Sequence, residues 1–267
     1  MPLLHLLILA AIQGITEFLP VSSSGHLILL PSLTGMEDQG QLLDVSVHLG
    51  TLGAVILYFW TDSKLAFAGL FHLVTGRFKT PAARLATLLI IATIPAVFFG
   101  LILKLTGLSD QLRNITVIGW TMLVFGIILY IADQRGTHTK EQSDWNTADA
   151  IKLGLWQALS LIPGTSRSGI SITGARAMGY SRADGTKIAM LMSIPVIIAS
   201  GVLLGTEAIA TADAAGLRDG AIAAVFAFIA ALFALSLMMR LLRSVSFTPY
   251  VIYRVILGVI LLGIAYS

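Results

Sequence analysis

The sequence contains no cysteine, which excludes disulfide frameworks, CxxC redox pairs, Cys-ligated zinc and thiol nucleophiles and leaves the redox compartment open. Charge is scarce as well. Only 12% of the 267 residues are Asp, Glu, Lys or Arg, where soluble domains carry about 25%. With 56% hydrophobic residues and a mean hydropathy of +0.88, the chain reads as a membrane protein rather than a soluble domain. The net charge of +3 comes from scattered groups and forms no basic stripe, so no nucleic-acid partner is expected. No Lys or Arg precedes Lys64. The apolar opening MPLLHLLILAAI therefore lacks the charged region of a signal peptide and is expected to stay in the mature protein.

What the chain does have is long apolar runs. A crossing helix needs about 20 mostly apolar residues. Six segments approach this: Leu42 to Trp60, Leu85 to Leu103, Ile115 to Ala132, Ile188 to Leu204, Ala221 to Met239 and Tyr250 to Tyr266. Asp44 and His48 near the start of the first, and Arg254 one turn inside the last, are their only polar exceptions of note. Pro95 and Pro195 fall mid-segment and are read as kinks. Two further runs are broken. Residues 3–33 are interrupted by Pro20 and VSSSGH, and residues 151–178 by Pro163 and GTSRSG. Each reads as a re-entrant helix, loop, helix hairpin, since irregular backbone within a bilayer must be buried in protein or line a polar cavity.

The two interruptions align. QGITEFLPVSSSG begins at Gln13 and QALSLIPGTSRSG at Gln157, so Gln13 and Gln157, Ser22 and Ser166, Ser24 and Ser168, and Gly25 and Gly169 are each 144 residues apart. Each half holds one hairpin and three crossings. An odd number of crossings starts the second half on the opposite side, the arrangement of an inverted-topology repeat. The reading is thus an all-α polytopic membrane protein forming a single membrane domain: a first repeat over 1–132, a linker over 133–149 and a second repeat over 150–267. Lys104, Arg113 and Arg218 lie on the side of the N-terminus. Lys64, Arg77, Lys79, Arg84, Arg135, Lys140, Lys152, Arg176, Arg182, Lys187, Arg240 and Arg243 lie on the other. Basic loops stay in the cytoplasm, which puts both termini outside.

Under this topology the hairpin tips approach each other within the membrane, bringing together Glu17, Ser22, Ser23, Ser24, His26, Ser166, Arg167 and Ser168. Ionisable groups held there are functional candidates. The set suits a phosphoryl group. Arg167 offers a planar fork of donors, and the turns around Gly25 and Gly169 can aim N–H groups at an anion. Glu17 can bind Mg²⁺, which uses one or two carboxylates plus substrate phosphates. His26 and a serine hydroxyl are alternative nucleophiles, and His26 can also carry a proton. The plainer readings are a serine-rich turn and a structural Glu17–Arg167 ion pair. His5, His48, His72 and His138 show no partner spacing and are read as interfacial or loop residues. Asp44 is a rim or metal-shell residue. Arg254 either snorkels toward the cytoplasmic side or pairs with a carboxylate.

QGITEFLPVSSSGH and PGTSRSG resemble the two signature segments of the undecaprenyl diphosphate phosphatase family of the bacitracin-resistance type, in order and with matching flanking hydropathy along the chain. The resemblance implies hydrolysis of undecaprenyl diphosphate to the monophosphate, which recycles the lipid carrier for peptidoglycan and other cell-wall polymers. It further implies a divalent cation, Mg²⁺ or Ca²⁺, and a site facing the outer side of the bacterial cytoplasmic membrane. By position it assigns a Glu/Gln-x-x-x-Glu element to Gln13 and Glu17, the metal candidates. Its PVSS-x-GH element falls on Ser22, Ser23 and His26, and its phosphate-binding arginine on Arg167. Gln13 stands where many members have Glu, which leaves Glu17 as the main anionic ligand. Ser23 is the favoured nucleophile over His26. Ser22, Ser24, Ser166, Ser168, Gly25 and Gly169 join Arg167 as phosphate contacts. The partners are the lipid substrate and membrane lipid, and a homodimer is allowed. The rival from another class is a transporter of a lipid phosphate or another anion, a design also built on inverted repeats.

Overall fold

The computed structural model describes residues 2–34, 39–210, 213–242 and 244–267, with the backbone alone for 31–34 and 207–210. Arg243 of the orientation count lies outside the described residues. The helices are α1 (Leu3–Phe18), α2 (Ser23–Thr34), α3 (Gly40–Tyr58), α4 (Trp60–Val74), α5 (Pro81–Thr106), α6 (Leu108–Gln111), α7 (Ile115–Arg135), α8 (Thr147–Ala158), α9 (Arg167–Ala177), α10 (Arg182–Ala210), α11 (Ala214–Leu241) and α12 (Thr248–Tyr266). Among the described residues, six helices are long and apolar enough to cross a membrane: α3, α5, α7, α10 up to Thr206, α11 and α12. They match the six segments read from the sequence, except that the first ends at Tyr58 and Trp60 opens α4, and the chain is a multi-pass, all-helical membrane protein. Pro95 and Pro195 lie inside α5 and α10, as expected.

The helix starts are locally encoded. Thr80, Asn114, Asn146 and Asp213 each use a side-chain oxygen to accept the N–H three residues on, satisfying a donor that the helix itself leaves open. Gly107 ends α5 at φ 69°, the left-handed conformation that glycine adopts without penalty. One helix departs from the sequence reading. α4 occupies a stretch read as loop, and it is tied down at its first turn by Asp62, which pairs with Lys187 of α10 at 2.9 Å.

α1 packs on α11, and α8 on α5; α3 packs on α11, and α10 on α5; α7 packs on α12, and α3 on α10. Lipid tails are as apolar as leucine, so these contacts depend on close approach between helices rather than on escape from water. Small residues permit it. A Cβ added at Gly14 of α1 would lie 2.6 Å from the Ala230 Cβ of α11, and one at Gly154 of α8 would lie 2.7 Å from the Ala92 carbonyl of α5. Both broken segments are thereby pressed against a long helix of the other half.

The stretch between the halves is also fixed. Asp133, read as the start of a linker, belongs to α7 and is buried, pairing with Arg176 at 3.1 Å and Arg182 at 2.8 Å. Asp149 at the start of α8 pairs with Lys140 at 2.9 Å and accepts the Tyr180 hydroxyl at 2.6 Å.

Candidate active site

Two turns build the site. α1 stops at Phe18 and Leu19 turns extended, because the proline at position 20 disfavours helical backbone before it and offers no N–H to continue the ladder. The chain re-enters helix through Ser22 at φ 74°. In the second turn, Pro163 and Gly164 break the chain and Ser166, at φ 72°, opens α9. Positive φ is uncommon outside glycine and costs energy, yet both serines adopt it, 144 residues apart. The hydrogen bonds match as well. Gly25 N–H donates to Ser22 Oγ at 3.3 Å and Gly169 N–H to Ser166 Oγ at 3.1 Å. The Ser22 and Ser24 hydroxyls lie 3.3 Å apart, and those of Ser166 and Ser168 3.1 Å.

The turns meet at Glu17. One carboxylate oxygen accepts the Ser23 hydroxyl at 2.5 Å and the Gln13 amide N–H at 3.0 Å. The other pairs with the Arg167 guanidinium. A second link runs from the Ser168 hydroxyl to the Leu19 carbonyl at 3.0 Å. Glu17 is almost wholly buried, and such an anion is tolerable only when paired and hydrogen-bonded. The Ser23 contact has the length of a charge-assisted O–H···O⁻ bond. The Gln13 amide oxygen, by contrast, is buried with no partner among the described residues.

His26 stands beside this network rather than in it. Its Nδ1 is 2.7 Å from the Ser22 carbonyl and its Nε2 2.5 Å from the Tyr253 hydroxyl of α12. A carbonyl can only accept, so Nδ1 carries the proton and Nε2 presents its lone pair to the phenol.

The site thus brings together Gln13, Glu17, Ser23 and Arg167 by direct hydrogen bonds. It places Ser22, Ser24, Gly25, Ser166, Ser168 and Gly169 in the two flanking turns and sets His26 one helical turn from Ser23. Three features depart from the sequence reading. His48, read as an interfacial or loop residue, lies on α3 with Nε2 3.8 Å from Glu17. Arg254 neither snorkels nor meets a carboxylate; it is wholly buried. Its guanidinium donates to the carbonyls of Pro20, Gly164, Thr165, Thr121 and Met122 at 2.9 to 3.3 Å, gripping both turns and α7. Tyr253, in the second turn of α12, carries no signal in the sequence, since an aromatic near a helix end reads as part of the interfacial belt. For His48 a signal did exist, because it is an ionisable residue inside a crossing segment. Asp44 accepts the Gln39 amide at 2.9 Å, and its own carbonyl lies 2.7 Å from His48 Nδ1. Among the described residues no group of three or more His, Asp or Glu could hold a metal ion.

Chemically, a serine hydroxyl bonded to a buried carboxylate has a base at hand to take its proton. An arginine fork beside it and two helix N-termini suit a phosphoryl group. The chain matches the bacitracin resistance protein BacA family over residues 6–260. It is 70% identical to the undecaprenyl-diphosphatase of Ruegeria pomeroyi over 267 residues and 67% identical to that of Jannaschia sp., covering 100% of both chains in each case. To the undecaprenyl-diphosphatase of Teredinibacter turnerae it is 43% identical, over 98% of each chain. Both turns fall within these matches, and the chain belongs to the bacitracin resistance protein BacA family.

Proposed function

We infer that the chain is an integral-membrane undecaprenyl-diphosphatase, releasing phosphate from undecaprenyl diphosphate to leave undecaprenyl phosphate. The observation that carries this is the single carboxylate, Glu17, to which the Ser23 hydroxyl and the Arg167 guanidinium are both bound. Ser23 attacks the terminal phosphorus as its proton passes to Glu17. The anhydride P–O bond breaks, and its electron pair leaves with undecaprenyl phosphate. Arg167 trades part of its contact with Glu17 for the phosphoryl oxygens, where its planar fork opposes the developing charge. Ser22 and Ser166 hold the turns in shape by capping the Gly25 and Gly169 N–H groups, Ser168 ties the second turn to the Leu19 carbonyl, and Ser24 and the N-terminal dipoles of α2 and α9 face the phosphates.

Glu17 and Gln13 fit a divalent cation, Mg²⁺ or Ca²⁺. These ions take oxygen ligands and use one or two carboxylates plus substrate phosphates, and the Gln13 amide oxygen is a buried acceptor in need of a partner. When bound, such an ion neutralises phosphate charge.

The two halves form an inverted repeat with two re-entrant hairpins. Supporting this are the paired serine turns and the exchange of helices, in which α1 rests on α11 as α8 rests on α5. The basic-residue count supports both termini lying outside, and the family resemblance supports a site toward the outer face of the bacterial cytoplasmic membrane. Every group named in the site comes from one chain, a basis on which monomer and homodimer both work.

Purified protein given an isoprenoid diphosphate in detergent releases phosphate in a cation-dependent manner, and a chelator abolishes it. No phosphate release with any cation, together with vesicles that move a lipid phosphate, would favour the transporter instead.

A further inference from the structure

We propose that Tyr253 is the hydroxyl through which His26 takes up a proton when water hydrolyses the phosphorylated Ser23; this rests on the assignment of Ser23 as nucleophile. The imidazole is held at both nitrogens. Its Nδ1–H is committed to the Ser22 carbonyl, which leaves Nε2 as the only basic atom, and that atom is covered by the Tyr253 hydroxyl at 2.5 Å. The two rings are nearly parallel, 8° apart with centroids at 5.7 Å, which holds the phenol oxygen against Nε2. His26 therefore reaches solvent and substrate through the phenol oxygen, which still has acceptor capacity.

Position supports the assignment. His26 follows Ser23 by three residues in α2, so their side chains share a face about 5–6 Å apart at Cβ. Glu17 already serves the Ser23 hydroxyl and cannot serve a water until it has returned that proton. Tyr253 is 44% exposed on the surface of the chain, so its side chain is not sealed within the helix packing. Its place is set by the next residue, Arg254, whose bonds to the Pro20, Gly164 and Thr165 carbonyls lock α12 onto both turns.

In the step, the water oxygen bonds to phosphorus as the P–Oγ bond breaks. Ser23 Oγ leaves with that electron pair and recovers its proton from Glu17. The water proton passes to the Tyr253 oxygen while the phenol proton passes to His26 Nε2. The resulting imidazolium donates to the Ser22 carbonyl and to Tyr253, and it later returns its extra proton to solvent.

The test uses native protein, Tyr253→Phe, His26→Gln and the double variant, with a short isoprenoid diphosphate radiolabelled at its terminal phosphorus. Tyr253→Phe removes one oxygen from a half-exposed side chain and leaves the fold intact. The relay predicts a fall in kcat of at least about tenfold for Tyr253→Phe, with acid-stable label accumulating on Ser23. It also predicts a double variant no slower than His26→Gln alone. Turnover of Tyr253→Phe within about twofold of native, or losses that multiply in the double variant, would overturn it. Slow turnover without accumulated label would overturn it too, by placing the defect before the phosphoenzyme. A native chain that releases no phosphate would overturn the phosphatase reading itself, a separate outcome.

Discussion

Glu17 binds Ser23, Gln13 and Arg167 at once, and the consequences of losing the serine and the arginine can be separated by experiment. Removing one member of a buried ion pair leaves the other charge stranded, at a cost of about 3–5 kcal/mol, while removing both is close to neutral. Arg167→Met should therefore lower the melting temperature in detergent, and adding Glu17→Gln should restore most of it, yet neither variant should release phosphate. A double variant that regains turnover would show the pair to be structural. Ser23→Ala keeps the pair and loses only the nucleophile, with an expected fall in kcat of at least about 1,000-fold. At this scale the sequence was informative where local motifs carried the chemistry, as with Gln13, Glu17, Ser23 and Arg167. It was silent on Tyr253, whose partner His26 lies 227 positions away. It misdirected on Arg254, because a buried guanidinium served by carbonyls leaves no carboxylate pattern to find.

Between residue and molecule stand the two turns and the helices that press on them. The long spans were legible because bilayer thickness sets their length. The breaks were legible because Pro20 and Pro163 halt helices. α4 was not, since its 15 residues are shorter than a crossing span and carry Asp62, Lys64 and His72. The positive φ at Ser22 and Ser166 was invisible too, being imposed by capping bonds and by the carbonyl grip of Arg254. Gly14 sits where α1 touches α11, so Gly14→Leu should cost about 1–3 kcal/mol or more through overpacking and displace Glu17. Lowered melting together with lost turnover would bear this out; native behaviour would place α1 elsewhere. The contact of Asp149 with Lys140 and Tyr180 has a pH signature. Burial alone would raise the Asp149 carboxyl, but bonds from Tyr180 and Lys140 outweigh it and hold the group below its usual range. Burial and the Asp149 carboxylate push the Tyr180 hydroxyl up. A depressed folded pKa stabilises the protein above the ordinary carboxylate value, about 4, and that contribution is lost as pH falls through the folded value. Asp149→Asn should lower the melting temperature at neutral pH and flatten its acid limb.

Across the whole molecule the two serine turns match in backbone and hydrogen bonding and differ in the groups they carry. At the same spacing of 144 residues, Ser23 corresponds to Arg167, Glu17 to Leu161 and His26 to Ile170. One turn carries the proposed nucleophile and the carboxylate, and the other carries the guanidinium. The site is therefore complete only when both turns meet, which explains why low overall charge and a concentrated centre go together. The basic-residue bias predicts that an N-terminal tag is reached by a membrane-impermeant reagent added outside; labelling only after permeabilisation would reverse the orientation. The claim on which the rest depends is that Ser23, activated by Glu17 and faced by Arg167, becomes the phosphorylated group. The most direct measurement is the chemical identity of the label trapped on protein after rapid quenching with radiolabelled isoprenoid diphosphate. The account predicts an acid-stable phosphoserine at Ser23 that disappears in Ser23→Ala. An acid-labile phosphohistidine at His26 that persists in Ser23→Ala would contradict it.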